Sequence, residues 1–113
     1  MSKRTIENLI FKNKSKDQLI EDTLTSLSAL LADVFTGDDV NELKSEFPEN
    51  LKLKDIGIEL LHVALYLENK EFETPSIEIS IKMVIEKQEY ELGIYSLIFN
   101  ENGDQIDEIL DLN

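Results

Sequence analysis

The chain has 113 residues, 42% of them hydrophobic, with four Gly, two Pro and no Cys. That composition suits one domain spanning 1–113 and excludes disulfides, thiolate catalysis, zinc knuckles and cysteine-held iron–sulfur clusters. Eleven Lys and Arg stand against 24 Asp and Glu, a net charge of -13, which would repel nucleic-acid phosphates and anionic membrane surfaces alike.

The first residues, MSKRTIENLI, hold no apolar run of the length a signal peptide needs, and no stretch approaches a membrane span. With the missing Cys, this points to the cytoplasm. Charge is uneven along the chain. Residues 1–16 carry Lys3, Arg4, Lys12, Lys14 and Lys16 against Glu7 alone. From Glu89 onward there are seven acids (Glu89, Glu91, Glu101, Asp104, Asp107, Glu108, Asp111) and no Lys or Arg. The C-terminal end is the negative pole, and its bland explanation is solubility.

Residues 3–12 are open to two readings: Ile6, Leu9 and Ile10 suit a short helix, Leu9 to Phe11 an edge strand. Ser15 with Gln18 forms a capping-box signature, and Leu19, Ile20, Leu24, Leu27, Leu30, Leu31 and Val34 recur at helical spacing up to Gly37. A helix over about 16–35 follows. Its small residues Thr25, Ser28, Ala29 and Ala32 suggest close approach of another element and burial on more than one side. Asp39 with Glu42, then Val40, Leu43 and Phe47, reads as a capped helix over about 39–47 that Pro48 ends. In 54–69, Ile56, Leu60, Leu61, Ala64, Leu65 and Leu67 cover most of a helical circumference, predicting a central helix.

Beyond Pro75 the period changes to two. Ile77, Ile79, Ile81, Met83 and Ile85 alternate with mostly polar residues, predicting a strand over about 76–87 with one buried face. A turn near Gln88 and Glu89 then pairs Ile85 with Leu92, Met83 with Ile94, Ile81 with Ser96 and Ile79 with Ile98 in a strand over about 90–99. NENGD at 100–104 has the Asn-Gly hairpin signal, and 105–112 returns as a third strand with Ile106, Leu110 and Leu112 inward. The expected class is α+β: N-terminal helices packed on one side of a three-stranded antiparallel meander.

That register leaves Tyr95, Leu97, Phe99 and Ile109 on the outer face, ringed by Glu78, Glu86, Glu91, Asp107 and Asp111, with Lys82 among them. An apolar strip within acids has the makeup of a partner-binding surface. The duller reading has the N-terminal segment or the helix after Asp39 covering it.

Catalytic chemistry finds little footing. His62 is the one histidine, and Glu59 with His62 makes one Glu-x-x-His pair, half of what a di-iron site uses, with the second pair missing. Abundant carboxylates make any nominated acid pair uninformative. Aligning Gly103 on a calcium loop puts Ile98 and Ile109 at the anchoring positions, so the match fails. No cofactor or metal is expected, and no enzyme.

In size, lack of Cys, acidity and compact α+β design the whole chain resembles the small acidic immunity proteins of bacterial contact-dependent growth inhibition and other polymorphic toxin systems. The likeness is one of type and rests on no motif. It implies a cognate toxin and carries over no particular residue. The leading expectation is a stoichiometric inhibitor covering the basic active site of a nuclease-type toxin, with charge speeding encounter and apolar anchors slowing release. Two alternatives are a phage-type nucleic-acid mimic of the anti-restriction or anti-CRISPR kind, and a homodimeric adaptor that buries the strip against its own copy or pairs its last strand edge to edge.

Overall fold

The computed structural model describes residues 15–36, 45–48, 51–68, 70–71, 74–88 and 90–113. The segment 1–14, residues 39–44 of the expected second helix and Glu89 lie outside the described residues. Helix α1 is Lys16–Thr36. The strands are β1 (Ile56–Tyr66), β2 (Ser76–Ile85), β3 (Tyr90–Asn100) and β4 (Gln105–Leu112), with a 3-10 turn, Leu53–Asp55, leading into β1. The strands form one antiparallel sheet in the order β1-β2-β3-β4.

The first helix forms where its signals place it. Ser15 Oγ accepts the Gln18 backbone N–H at 3.1 Å, while the Gln18 amide turns to Asp22 at 2.9 Å, so half of the capping box is made. Leu19, Thr23, Leu27, Leu31 and Val34 are buried along one stripe, and this stripe lies mainly across β2 and β3. Thr25, Ser28 and Ala29 are exposed and Ala32 is half-buried, so most of the small-residue side faces solvent and α1 is buried mainly on one side.

Two expectations about the fold are corrected. Residues 56–66 are a strand, making the sheet four-stranded, and α1 is the single α-helix among the described residues. The cause of the misreading is a β-bulge. Leu60 pairs with Ile81 and His62 with Ser80, leaving Leu61 as an extra residue. Ile56, Ile58 and Leu60 alternate on one side of the bulge and Val63 and Leu65 on the other. The inserted Leu61 breaks the period of two and imitates i, i+4 spacing. Of the expected helix over 39–47, Ser45 and Glu46 form part of a 3-10 turn, and Phe47 is buried with its ring edge-on to Phe35, centroids 5.2 Å apart.

The second correction concerns β3. Met83 pairs with Gly93 but Val84 pairs with Glu91, so Leu92 is extra and β3 also carries a bulge. Glu91 remains on the outer face opposite Val84. Past the bulge Tyr95, Leu97 and Phe99 pair with Ile81, Ile79 and Ile77 and turn inward. A one-residue slip exchanges every side chain between faces. Tyr95, Leu97 and Phe99 are 0%, 1% and 2% exposed and belong to the core under α1, so they cannot serve as a binding strip.

Gly93 is required at this bulge: a Cβ there would meet the Asp111 carbonyl oxygen at 2.4 Å and Leu112 Cα at 2.9 Å, both backbone atoms of β4. The β3–β4 turn matches the Asn-Gly expectation, but Ile106, expected inward in a regular strand, is an extra residue between Gln105 opposite Phe99 and Asp107 opposite Ile98. Gly103 has φ 84, in the left-handed region glycine favours, and Asn100 Oδ1 accepts the backbone N–H groups of Asn102 and Asp104 at 2.9 and 3.0 Å.

Candidate interaction face

On the side of the sheet away from α1, the ladders bring together Gly57, Glu59, His62, Ala64 and Tyr66 of β1, and Ser76, Glu78, Ser80, Lys82 and Val84 of β2. Beside them stand Glu91, Ile94, Ser96 and Ile98 of β3, and Asp107, Ile109 and Asp111 of β4. The four strands hold six carboxylates and a single Lys or Arg, Lys82. Five of the six lie on this outer face. The sixth, Glu108, pairs with Leu97 on the inner side.

The middle of the face is closed. Ser76, Ser80, Ser96 and Ile98 are buried, and a polar line crosses three strands. The Tyr66 hydroxyl donates to Glu78 Oε1 at 2.8 Å, His62 Nε2 lies 3.4 Å from the same oxygen and 3.1 Å from Ser80 Oγ, and Ser80 Oγ lies 2.7 Å from Ser96 Oγ. The Glu78 carboxylate that accepts the Tyr66 hydroxyl raises the phenol above its ordinary value, with burial and the carboxylate's charge acting the same way.

Ser, His and Glu in contact invite comparison with a catalytic triad, but the geometry is different. A triad base uses one ring nitrogen for the nucleophile and the other for the acid. Here both partners meet Nε2, and the Ser80 hydroxyl is buried. This line is a structural clamp between β1, β2 and β3. Sequence reasoning missed it because Ser80 and Ser96 gave no signal until the register was known. Among the described residues no cluster of His, Asp and Glu is arranged to hold a metal ion.

The nine residues nominated from sequence therefore separate. Tyr95, Leu97 and Phe99 are core. Glu78 is held by Tyr66 and His62, with 15% of its side chain exposed. Glu86 is exposed near Gly57, at the β1 corner. Glu91, Asp107, Ile109 and Asp111 remain together on β3 and β4. Asp107, Ile109 and Asp111 occupy alternate positions of β4, roughly 7 Å apart at each step, and pair with Ile98, Ser96 and Ile94. Ile109 is 41% exposed between two exposed carboxylates. Glu91 is fixed beside them by Asn113, whose side-chain amide donates to Glu91 Oε2 at 2.8 Å. Farther across the face, Lys82 of β2 and Glu59 of β1 form an ion pair at 2.6 Å. That pair holds the lysine proton above the ordinary range, chiefly through the hydrogen bond to Glu59.

An open cleft of about 500 Å³ lies at the β2–β3 turn, lined by Pro48, Leu51, Asp55, Lys87 and Tyr90 among others. It brings no set of catalytic groups together. No family model, curated protein or solved structure matches the chain. Among the described residues no helix is long and apolar enough to cross a membrane.

Proposed function

We propose that the chain is a non-catalytic protein-binding inhibitor, of the immunity type, that engages a basic partner through the β4 side of the outer face. The observation that carries this reading is the grouping of Asp107, Ile109 and Asp111 on β4, a strand that carries no basic side chain, with Glu91 alongside on β3. Carboxylates at a rim raise the encounter rate with a positive surface, and an exposed apolar side chain among them supplies a contact that slows release. A nuclease-type toxin domain, basic because it holds nucleic acid, is the partner this chemistry fits.

The exposed Ile109 favours this reading over nucleic-acid mimicry, which calls for carboxylates without an apolar anchor. The test is affinity capture at low ionic strength from the source cells, with three baits compared: the unaltered chain, an Asp107→Asn/Asp111→Asn double variant, and an unrelated protein of similar negative charge. Retention of one basic protein by the first bait alone supports the proposal. Equal retention by all three reduces the interaction to general ion exchange and rejects it.

A further inference from the structure

We propose that two copies of this chain associate by antiparallel pairing of β1 with β1, about a two-fold axis through the bulge at Leu60 and Leu61. β1 is the terminal strand of the sheet, 11 residues long and paired on one edge with β2. Its other edge presents a row of backbone donors and acceptors with no strand beside it among the described residues, an arrangement that templates strand addition.

Six of the eight large hydrophobic residues found exposed among the described residues fall between Leu53 and Leu67. Ile58, Leu60, Leu61 and Val63 are 43%, 48%, 41% and 37% exposed. Ile58, Leu60 and Val63 pair with Met83, Ile81 and Ile79 and so continue the core side of the sheet. Because α1 runs mainly over β2 and β3, this apolar band extends beyond the helix.

The order of residues along β1 selects its own copy as the occupant. The bulge makes the strand a palindrome: reading outward from Leu60 and Leu61, Glu59 mirrors His62, Ile58 mirrors Val63, Gly57 mirrors Ala64 and Ile56 mirrors Leu65. Residues opposite each other in an antiparallel pair must share a face. Each mirrored pair meets that condition here because the extra residue shifts the phase once. Ile58 and Ile56 of one copy then stand beside Val63 and Leu65 of the second on the core side. Glu59 stands opposite His62 of the second copy on the outer side, a carboxylate against an imidazole.

Charge points the same way. A chain of net charge -13 meets itself most easily where carboxylates are few. β1 has Glu59 alone, already paired with Lys82, whereas β4 has Asp107, Glu108 and Asp111 and no basic residue. Like charges across two β4 edges would oppose pairing there. The β1 contact is isologous, closes on itself and leaves both β4 borders open.

The experiment is light scattering with size-exclusion chromatography, over a dilution series and at low and high ionic strength, on the unaltered chain and on Leu60→Lys, Ile58→Lys and Asp107→Asn/Asp111→Asn. The unaltered chain should run at twice the chain mass, and salt should leave the dimer intact or tighten it by screening the net charge. Both lysine variants should self-associate at least tenfold more weakly, and the β4 double variant should remain dimeric. Because both sites are exposed in the single chain, the lysine variants should keep the unaltered circular dichroism. Should they unfold instead, the dilution series of the unaltered chain decides alone. A monomer at every concentration, or a dimer indifferent to both lysines, overturns the proposal and leaves the β4 reading untouched.

Discussion

The Tyr95 hydroxyl lies 2.6 Å from the Ser26 hydroxyl, joining the middle of α1 to the third strand, and donates its own proton to Glu108 on the fourth. With that proton committed to the carboxylate, Ser26 is the donor in the first bond. One side chain thus ties the helix, β3 and β4. This is possible because the bulge at Leu92 turns Tyr95 inward. Replacing it by Phe keeps the ring and removes two hydrogen bonds, while Ser26 and Glu108 regain access to water. A loss of about 1–2 kcal/mol is expected, measured by urea denaturation with an unchanged m-value.

The same tyrosine makes the fold sensitive to alkali. Burial, followed by the hydrogen bond to Glu108, pushes its phenol up to about 12 from 10.0, with Ser26 opposing. The folded chain therefore keeps a proton that the unfolded chain releases, and stability falls as pH rises. The contribution is fully present below pH 10 and is lost as the pH approaches about 12. On the order of 2 kcal/mol is at stake. Melting temperature followed over this range should drop more steeply for the unaltered chain than for Tyr95→Phe. Parallel curves would show that another group governs the alkaline limb.

Gly93→Ala should destabilise by about 1–3 kcal/mol, because the added methyl meets backbone atoms of β4 that cannot rotate away. Hydrogen exchange in β4 should rise more than in β2. Uniform exchange across the sheet would place the strain elsewhere.

Ser76 is fully buried, and its hydroxyl has no hydrogen-bond partner among the described residues. Ser76→Ala removes that polar atom at little cost in volume, so stability should hold or rise by about 1 kcal/mol. A clear loss in thermal melting would mean the hydroxyl has a partner in solution.

Much of the fold was legible wherever period and turn chemistry act without interruption. Ser15 and the Leu19 to Val34 stripe mark α1, the alternation from Ile77 to Ile85 marks β2, and Asn102 with Gly103 marks the last hairpin. What escaped was the extra residue. Leu61, Leu92 and Ile106 each add one position to a strand. The first made β1 look helical and the second turned Tyr95, Leu97 and Phe99 from an expected surface into the core. A bulge is favoured by the partner strand and by packing, as at Gly93 against Asp111 and Leu112, and those long-range contacts are absent from local periodicity. Asp107 and Asp111 keep the outer face expected of them because the extra residue Ile106, between Gln105 opposite Phe99 and Asp107 opposite Ile98, offsets the slip in β3. The exposed band on β1 carried no signal while that segment read as a helix.

The most direct test of the proposed role is the affinity of the captured partner for the unaltered chain and for Asp107→Asn/Asp111→Asn, titrated over a range of salt. Binding to the unaltered chain should weaken steadily as salt screens the contact, and the double variant should bind at least tenfold less tightly with a flatter salt dependence. An affinity that ignores both salt and the two substitutions, or a capture that returns no basic protein, would contradict the assignment of the β4 border as the binding surface.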